Sequence, residues 1–316
     1  MKNGALVISL DFELVWGIFD HVVIADKVTY FNNTLLAIPQ MLEVFQKNDI
    51  KVTWATVGML FNENWEEWKA NIPQETPTYD RGILNPYTFG EQHRKSSYDN
   101  FFFAPKLIKD IQSVKGQEVG THTYSHYYCL EKGQTLSQFE ADIQQAVIMA
   151  SKFDIELKSL VFPRNQFNKN YLEVCHKHQI ETVRTNPDDW YWDTTKPDTL
   201  FSKLARTGDA YLPLGNKSYP KEKINRDIVV CQQASRFFRP QSSIELLNKT
   251  RVNRIKNEIK QAAKKGEVYH LWWHPHNFGI DTANAISSLK DIIDTYAQCR
   301  ETYGMQSLTM TQVSDF

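Results

Sequence analysis

The sequence of 316 residues lacks three features that would each define a class of protein. It has no basic excess, since 36 Lys and Arg face 37 Asp and Glu, whereas general nucleic-acid-binding proteins usually carry a marked surplus of positive charge. Its four cysteines form no CxxC pair, which favours free thiols over a disulfide framework. No uncharged apolar run reaches the roughly 18 residues of a membrane span.

A secretory signal is also missing from the N-terminus. The apolar run Ala5–Leu10 is short, has no small-residue cleavage site and ends in the acidic Asp11 and Glu13. We therefore expect a cytoplasmic protein without a membrane span or a nucleic-acid partner. The oligomeric state stays open.

Short apolar segments alternate with amphipathic ones along the chain, which predicts strands and helices of a parallel β/α architecture. The predicted strands are 5–10, 52–57, 118–121, 159–162, 181–184, 228–231 and 268–273. The predicted helices include 38–47, 169–178, 243–265 and 285–303. An S-x-x-E pattern at Ser137 and Glu140 predicts one further helix start. No repeat or linker divides the sequence, so we expect a single domain over residues 1–316.

The segment 62–105 is long for a connection and rich in aromatic residues, among them Trp65, Trp68 and three consecutive phenylalanines at 101–103. Two interpretations remain open. The segment could form a cap that binds substrate, or an accessory helix followed by a surface excursion.

Polar residues follow directly after most of the predicted strands. These groups are Asp11 and Glu13, His122 and His126, Arg164, Asp188 to Trp190, and His274 and His276. The carboxyl ends of parallel strands meet at one face of a β/α barrel, so we expect these side chains to lie together. On a helical turn His122 and His126 would share one face and, with a carboxylate, could hold zinc or a similar divalent metal.

The ordered segments SLDFE, GTHTYSH, FPRNQF, DDW and HLWWH resemble the polysaccharide deacetylases, that is, the NodB-homology domain of carbohydrate esterase family 4. The resemblance runs from Ile8 to about His274. It implies a distorted (β/α) barrel that removes an acetyl group from an N-acetylated sugar or glycan with one divalent transition metal. Zinc is the first choice, and cobalt, nickel and manganese stay open.

The resemblance also implies roles for single residues. The metal ligands would be Glu13, His122 and His126. Asp11 would be the general base, with Arg164 as its ion-pair partner. His274 would be the general acid, oriented by Asp189. His276 is a second candidate for that acid and is otherwise expected at the substrate.

Three further residues are expected at the substrate from the same resemblance. Trp190 would line the pocket for the acetyl methyl group, and Phe167 closes the FPRNQF segment. Tyr124 is a candidate neighbour of the oxyanion, through either its side chain or its backbone amide.

One departure from the family pattern concerns the first motif, in which the usual two aspartates are adjacent. Here Phe12 separates Asp11 from Glu13, as in an intracellular-type branch with a D-x-E motif. Alternation along an extended segment would still place both carboxylates on one side. Without an export signal, we expect a glycan precursor or a nucleotide- or lipid-linked sugar as substrate.

Three alternatives stay open at this point. The first is an allantoinase-like cyclic-amide hydrolase on the same fold. The second is a catalytically inactive carbohydrate-binding protein. The third is an unrelated metal-dependent lyase or phosphodiesterase on a β/α barrel.

Overall fold

A computed structural model describes residues 3–192, 199–212, 215 and 217–316, without the side chains of Lys203 and Arg206. Its strands form one nine-stranded sheet in which every ladder is parallel. They are β1 (Ala5–Phe12), β2 (Val52–Thr56), β3 (Gln117–Thr121), β4 (Ser159–Val161), β5 (Thr182–Thr185), β6 (Val230–Gln233), β7 (Arg236–Phe237), β8 (Val268–Trp273) and β9 (Gln306–Leu308). The order is β6-β5-β4-β3-β2-β1-β8-β7, with β9 beside the start of β1.

The sheet curls because its two edge strands are neighbours in the sequence. Only Ala234 and Ser235 separate β6 from β7, and two residues span less than about 12 Å. The backbone N–H of Ala234 donates to Thr185 on β5, and that of Ser235 donates to His270 on β8, both at 2.8 Å. The predicted distorted (β/α) barrel is confirmed.

Helices surround the curled sheet. They are α1 (Val28–Lys47), α2 (Trp65–Ala70), α3 (Pro86–His93), α4 (Asp99–Phe102), α5 (Pro105–Ser113), α6 (Leu136–Ser151), α7 (Lys169–Lys177), α8 (Leu200–Asp209), α9 (Glu245–Lys265), α10 (Thr282–Tyr303) and α11 (Met310–Val313). Among the helices of the described residues, none is both long and apolar enough to cross a membrane.

Two predicted helix starts are wrong. Helix α1 begins at Val28 rather than 38, because buried Phe31 and Thr34 extend its inner face through the turns before Pro39. Helix α6 is capped by Thr135, whose hydroxyl accepts from the backbone of Gln138, and not by the predicted Ser137 pair.

Alternation along β1 explains why its acids face the interior of the barrel. Leu6, Ile8 and Leu10 belong to the main apolar core, which the helices cover. Ala5 and Val7 belong to a second apolar cluster at the other face of the strand. Ser9 and Asp11 continue that face, so their polar side chains lie inside the barrel.

The segment 62–105 folds into α2, α3 and α4, and its aromatic side chains belong to the main core. Trp65, Trp68 and Phe101 to Phe103 are all buried there, and Trp68 stacks on Trp16 at 6.4 Å. No described residue of this segment lines the cavity at the carboxyl ends of the strands, where Asp11 and Glu13 lie. The aromatic residues of the segment are therefore core residues, and the substrate cap stays a prediction.

Candidate active site

The carboxyl ends of β1, β3, β4, β5 and β8 surround a cavity of about 270 Å³. Its wall contains most of the residues singled out in the sequence: Asp11, Glu13, His122, His126, Arg164 and His274. The polar and aromatic wall is completed by five residues that were not predicted from the sequence: Arg184, Trp192, Trp272, Asn165 and Phe162. The strand ends bring the first six side chains together at one face, whereas Asp189, Trp190 and His276 do not line the cavity.

Glu13 lies between two histidines in a buried cluster. Its Oε2 is 3.3 Å from Nε2 of His122 and 3.1 Å from Nε2 of His126, and all three side chains are at most 4% exposed. Their donor atoms lie within 4.8 Å of one another. Gly17 permits this approach, since a Cβ at that position would lie 2.0 Å from Glu13 Oε1.

The loop that carries the two histidines is not the expected helical turn. Thr123 and His126 both have positive φ angles, 64° and 57°, so the chain bends sharply between the two imidazoles. The buried Asp142 on α6 holds this bend, because its carboxylate accepts from the backbone N–H of Tyr124 at 2.7 Å and of Ser125 at 3.1 Å.

The chemistry of this donor set fits a bound cation. His122 Nδ1 lies 2.7 Å from the carbonyl oxygen of Val161, which can only accept, so Nδ1 carries a proton and Nε2 is the ring nitrogen directed at Glu13. His126 Nδ1 is buried and has no hydrogen-bond partner among the described residues. A carboxylate oxygen and an imidazole nitrogen that face each other at 3.1 to 3.3 Å need a proton or a metal ion between them. One carboxylate and two imidazoles form the protein side of a zinc-type site.

Electrostatics keep Glu13 ready as a ligand. Burial by itself raises the pKa of Glu13, but the imidazoles of His274, His122 and His126 outweigh burial and hold this pKa well below its usual range. Burial lowers the pKa of His126, which favours the neutral form that binds metals.

Asp11 pairs with Arg184 and not with Arg164, so the predicted ion pair is wrong. Nη1 and Nη2 of Arg184 each lie 2.7 Å from one oxygen of Asp11 in a buried, bidentate pair. Arg184 Nη1 also donates to Ser9 Oγ at 2.9 Å. Burial raises the pKa of Asp11, but Arg184 and His122 outweigh it, so the carboxyl is held ionised below its usual pKa.

Arg164 has other partners because β4 ends in a turn that directs it away from β1. Its backbone is left-handed at φ 54°. The guanidinium pairs with Asp20 and Glu131 and lies 4.0 Å above the ring of Tyr128. Arg164 still lines the cavity, at its rim.

His274 is the more accessible of the two candidate acids. Its Nε2 lies 3.7 Å from Asp11 Oδ2 and from Glu13 Oε1, and its side chain is 24% exposed in the cavity wall. His276 is only 6% exposed, and its ring stacks parallel to that of His274 with centroids 4.9 Å apart. Burial and the neighbouring His274 lower the pKa of His276 to about 3, so its imidazole is neutral.

Four of the residues predicted at the site do not line the cavity. The carboxylate of Asp189 bonds Lys217 at 2.6 Å instead of orienting His274. Trp190 is 53% exposed and stacks on Phe201 outside the cavity. The amide of Tyr124 is used by Asp142, and its buried hydroxyl lies 3.5 Å from Asn62. Phe167 stacks on Phe162 at 4.9 Å in a separate apolar cluster.

The sequence held a signal for two of the missed residues. Arg184 is a cation near the end of a predicted strand, and Trp272 lies between His270 and His274 in the alternation along and just beyond β8. Both side chains therefore face the barrel interior, where the guanidinium of Arg184 lies 4.2 Å from the ring of Trp272.

Comparison with known proteins identifies the family. Residues 28–183 match the family model for polysaccharide deacetylases. The chain belongs to the polysaccharide deacetylase family. Membership supports a hydrolytic deacetylase activity in general, while the D-x-E branch remains a prediction. Among curated proteins, none matches this sequence.

Solved structures share the fold at low sequence identity. A Mycobacterium smegmatis protein assigned to the polysaccharide deacetylases has a TM-score of 0.62 and 10% identity, covering 100% of this chain and 90% of its own. The allantoinase PuuE has a TM-score of 0.58 and 8% identity, covering 98% and 89%. The GH57-type branching enzyme of the archaeon Pyrococcus horikoshii has a TM-score of 0.56 and 12% identity, covering 100% and 70%. These likenesses concern the fold alone.

Proposed function

We propose that this polysaccharide deacetylase family member hydrolyses the N-acetyl group of an amino sugar, free or within a glycan, with a divalent transition metal held by Glu13, His122 and His126. The observation that carries the proposal is the buried cluster in which one carboxylate oxygen faces two imidazole nitrogens, directly beside the ionised Asp11. When bound, the metal would supply Lewis acidity and lower the pKa of a water molecule.

Asp11 is the proposed general base. Its carboxylate lines the cavity and is kept ionised by the bidentate Arg184, so it can accept a proton from water throughout the neutral range. Arg184 is in turn held by Ser9, whose hydroxyl also lies 2.8 Å from Nε2 of His270. Arg184 therefore acts as the positioning residue that Arg164 was predicted to be.

His274 is the proposed general acid. Its Nε2 faces the same space as Asp11 and Glu13 from the end of the neighbouring strand β8. A proton held at this nitrogen can pass to the amine as the carbon–nitrogen bond breaks.

The proposal is tested by measuring acetate release from N-acetylated amino sugars and their oligomers, using protein loaded with zinc or cobalt. We expect release from at least one such sugar, and loss of it in Glu13→Gln, which keeps the shape of the ligand and removes its charge. Release of acetate by Glu13→Gln at the wild-type rate would contradict the proposal. Ring opening of allantoin without acetate release would instead support the allantoinase-like alternative.

Two nearby tryptophans lie in different places, one in the cavity wall and one on the surface. Trp192 lines the cavity beside Trp272, whereas Trp190 lies outside it. We expect Trp192→Ala to raise KM for the sugar about tenfold, because losing roughly 1.4 kcal/mol of ring contact weakens binding by that factor. Trp190→Ala is the matched control and should change KM less than about twofold. Equal effects in steady-state kinetics would contradict this assignment.

A further inference from the structure

The two oxygens of Glu13 face two different pairs of histidines. Oε2 faces His122 and His126, which form the site described above. Oε1 lies 3.7 Å from Nε2 of His274 and 3.7 Å from Nδ1 of His276. The second set is thus also one carboxylate oxygen and two imidazole nitrogens, and its donor atoms all lie within 4.8 Å of one another.

The dimensions of the second set suit a small transition metal. Ligands about 2.1 Å from a tetrahedral ion lie roughly 3.4 Å apart, so the observed 3.7 Å requires only a small contraction. His276 adds an independent sign: it is 6% exposed, and its Nδ1 is buried without a hydrogen-bond partner among the described residues. A buried imidazole nitrogen without a partner is costly unless a cation or a water molecule binds it.

We propose that Glu13, His274 and His276 form a second metal site, which shares the Glu13 carboxylate with the first and is filled only when the metal is in excess. Bridging carboxylates hold paired metals about 3.5–4 Å apart in known two-metal sites. The second ion would bind more weakly for two reasons. Two dications repel across this distance, and the parallel rings of His274 and His276 must tilt before both can point at one ion.

Filling the second site would occupy Nε2 of His274, the nitrogen proposed to carry the acid proton. Excess metal would therefore inhibit the deacetylase, and this consequence rests on the proposed function. The binding itself does not, because it depends only on the donor atoms.

Equilibrium dialysis of metal-free protein against zinc measures the number of sites directly. We expect two zinc ions per wild-type chain, the second at least about tenfold weaker than the first. His276→Gln should bind only one zinc ion. His274→Gln alters the other imidazole of the second site and should also bind only one, so that the test still stands if one of the two variants folds poorly. His176→Gln removes an exposed histidine of α7 and should keep both. A single site in the wild type, or two in both His276→Gln and His274→Gln, would overturn the proposal.

Activity provides the second measurement. About ten equivalents of zinc should lower the wild-type rate of acetate release at least fivefold relative to one equivalent, and lower that of His276→Gln less than twofold, each normalised to its own rate. Two bound ions without any acetate release would leave the second site standing and contradict the proposed function. Acetate release that requires one bound ion and is insensitive to excess zinc would support the proposed function and contradict the second site.

Discussion

Replacing Asp11 with asparagine is expected to lower kcat for acetate release by about 10³-fold, within the range that a positioned general base contributes. Asparagine keeps the size of the side chain, but its amide cannot accept a proton at neutral pH. The carboxylate it replaces is ionised by the bidentate contact with Arg184 and faces the cavity. Steady-state kinetics on the sugar that the wild type deacetylates fastest provide the measurement.

The control for this variant is its metal content. Asp11 is not among the three residues that face one another as ligands, so Asp11→Asn should hold as much tightly bound metal as the wild type. Loss of metal together with activity would show that Asp11 acts as a ligand rather than as a base. A kcat within about tenfold of the wild type would contradict the assignment of the base.

Replacing Arg184 with methionine is expected to lower the free energy of unfolding by about 3–5 kcal/mol, because it leaves the Asp11 carboxylate buried without its partner. Arg184 is 1% exposed and Asp11 is 4% exposed, so water cannot take over the lost hydrogen bonds. Urea unfolding monitored by tryptophan fluorescence measures the change.

Arg164→Met is the matched control for the same substitution. Its guanidinium is 37% exposed and pairs with Asp20 and Glu131 at the rim, where ion pairs contribute about 1 kcal/mol or less. If Asp11 is the cause of the larger loss, adding Asp11→Asn to Arg184→Met should recover part of it. Equal destabilisation by the two methionine variants would contradict the assignment of Arg184 as the partner of Asp11.

The location of the site could be predicted from the sequence because it follows from strand ends. Asp11 and Glu13 continue the inward face of β1. His274 follows β8, which is adjacent to β1, and His122 follows β3, which lies two strands from β1 on the other side. Their convergence needs only the rule that parallel strands end at one face. The positions of these acids and imidazoles at strand ends are therefore enough to predict that they lie together.

The partner of Asp11 could not be predicted in this way. Arg184 is 173 residues away in the sequence, and β5 lies four strands from β1 in the sheet order. The two side chains meet only because the sheet curls and brings them together across the interior. The resemblance to the family instead favoured Arg164, whose left-handed backbone directs it to Asp20.

The contacts that loop residues make could also not be predicted from the sequence. Asp189 follows a strand, as predicted, but its charge is taken by Lys217, a cation that no spacing rule links to it. The segment 62–105 suited either a substrate-binding cap or an accessory helix with a surface excursion, since composition alone does not say which face a ring contacts. Phe102 shows the outcome, because its ring packs 5.2 Å from Trp16 inside the main cluster.

The most direct test of the account is the transition-metal content of the purified protein after zinc loading and dialysis against metal-free buffer. Elemental analysis should find about one tightly bound ion per wild-type chain and His176→Gln chain, and little in His126→Gln, which removes one of three ligands. A wild-type protein that retains no metal, or a His126→Gln variant that retains as much, would contradict the claim that Glu13, His122 and His126 form the metal centre.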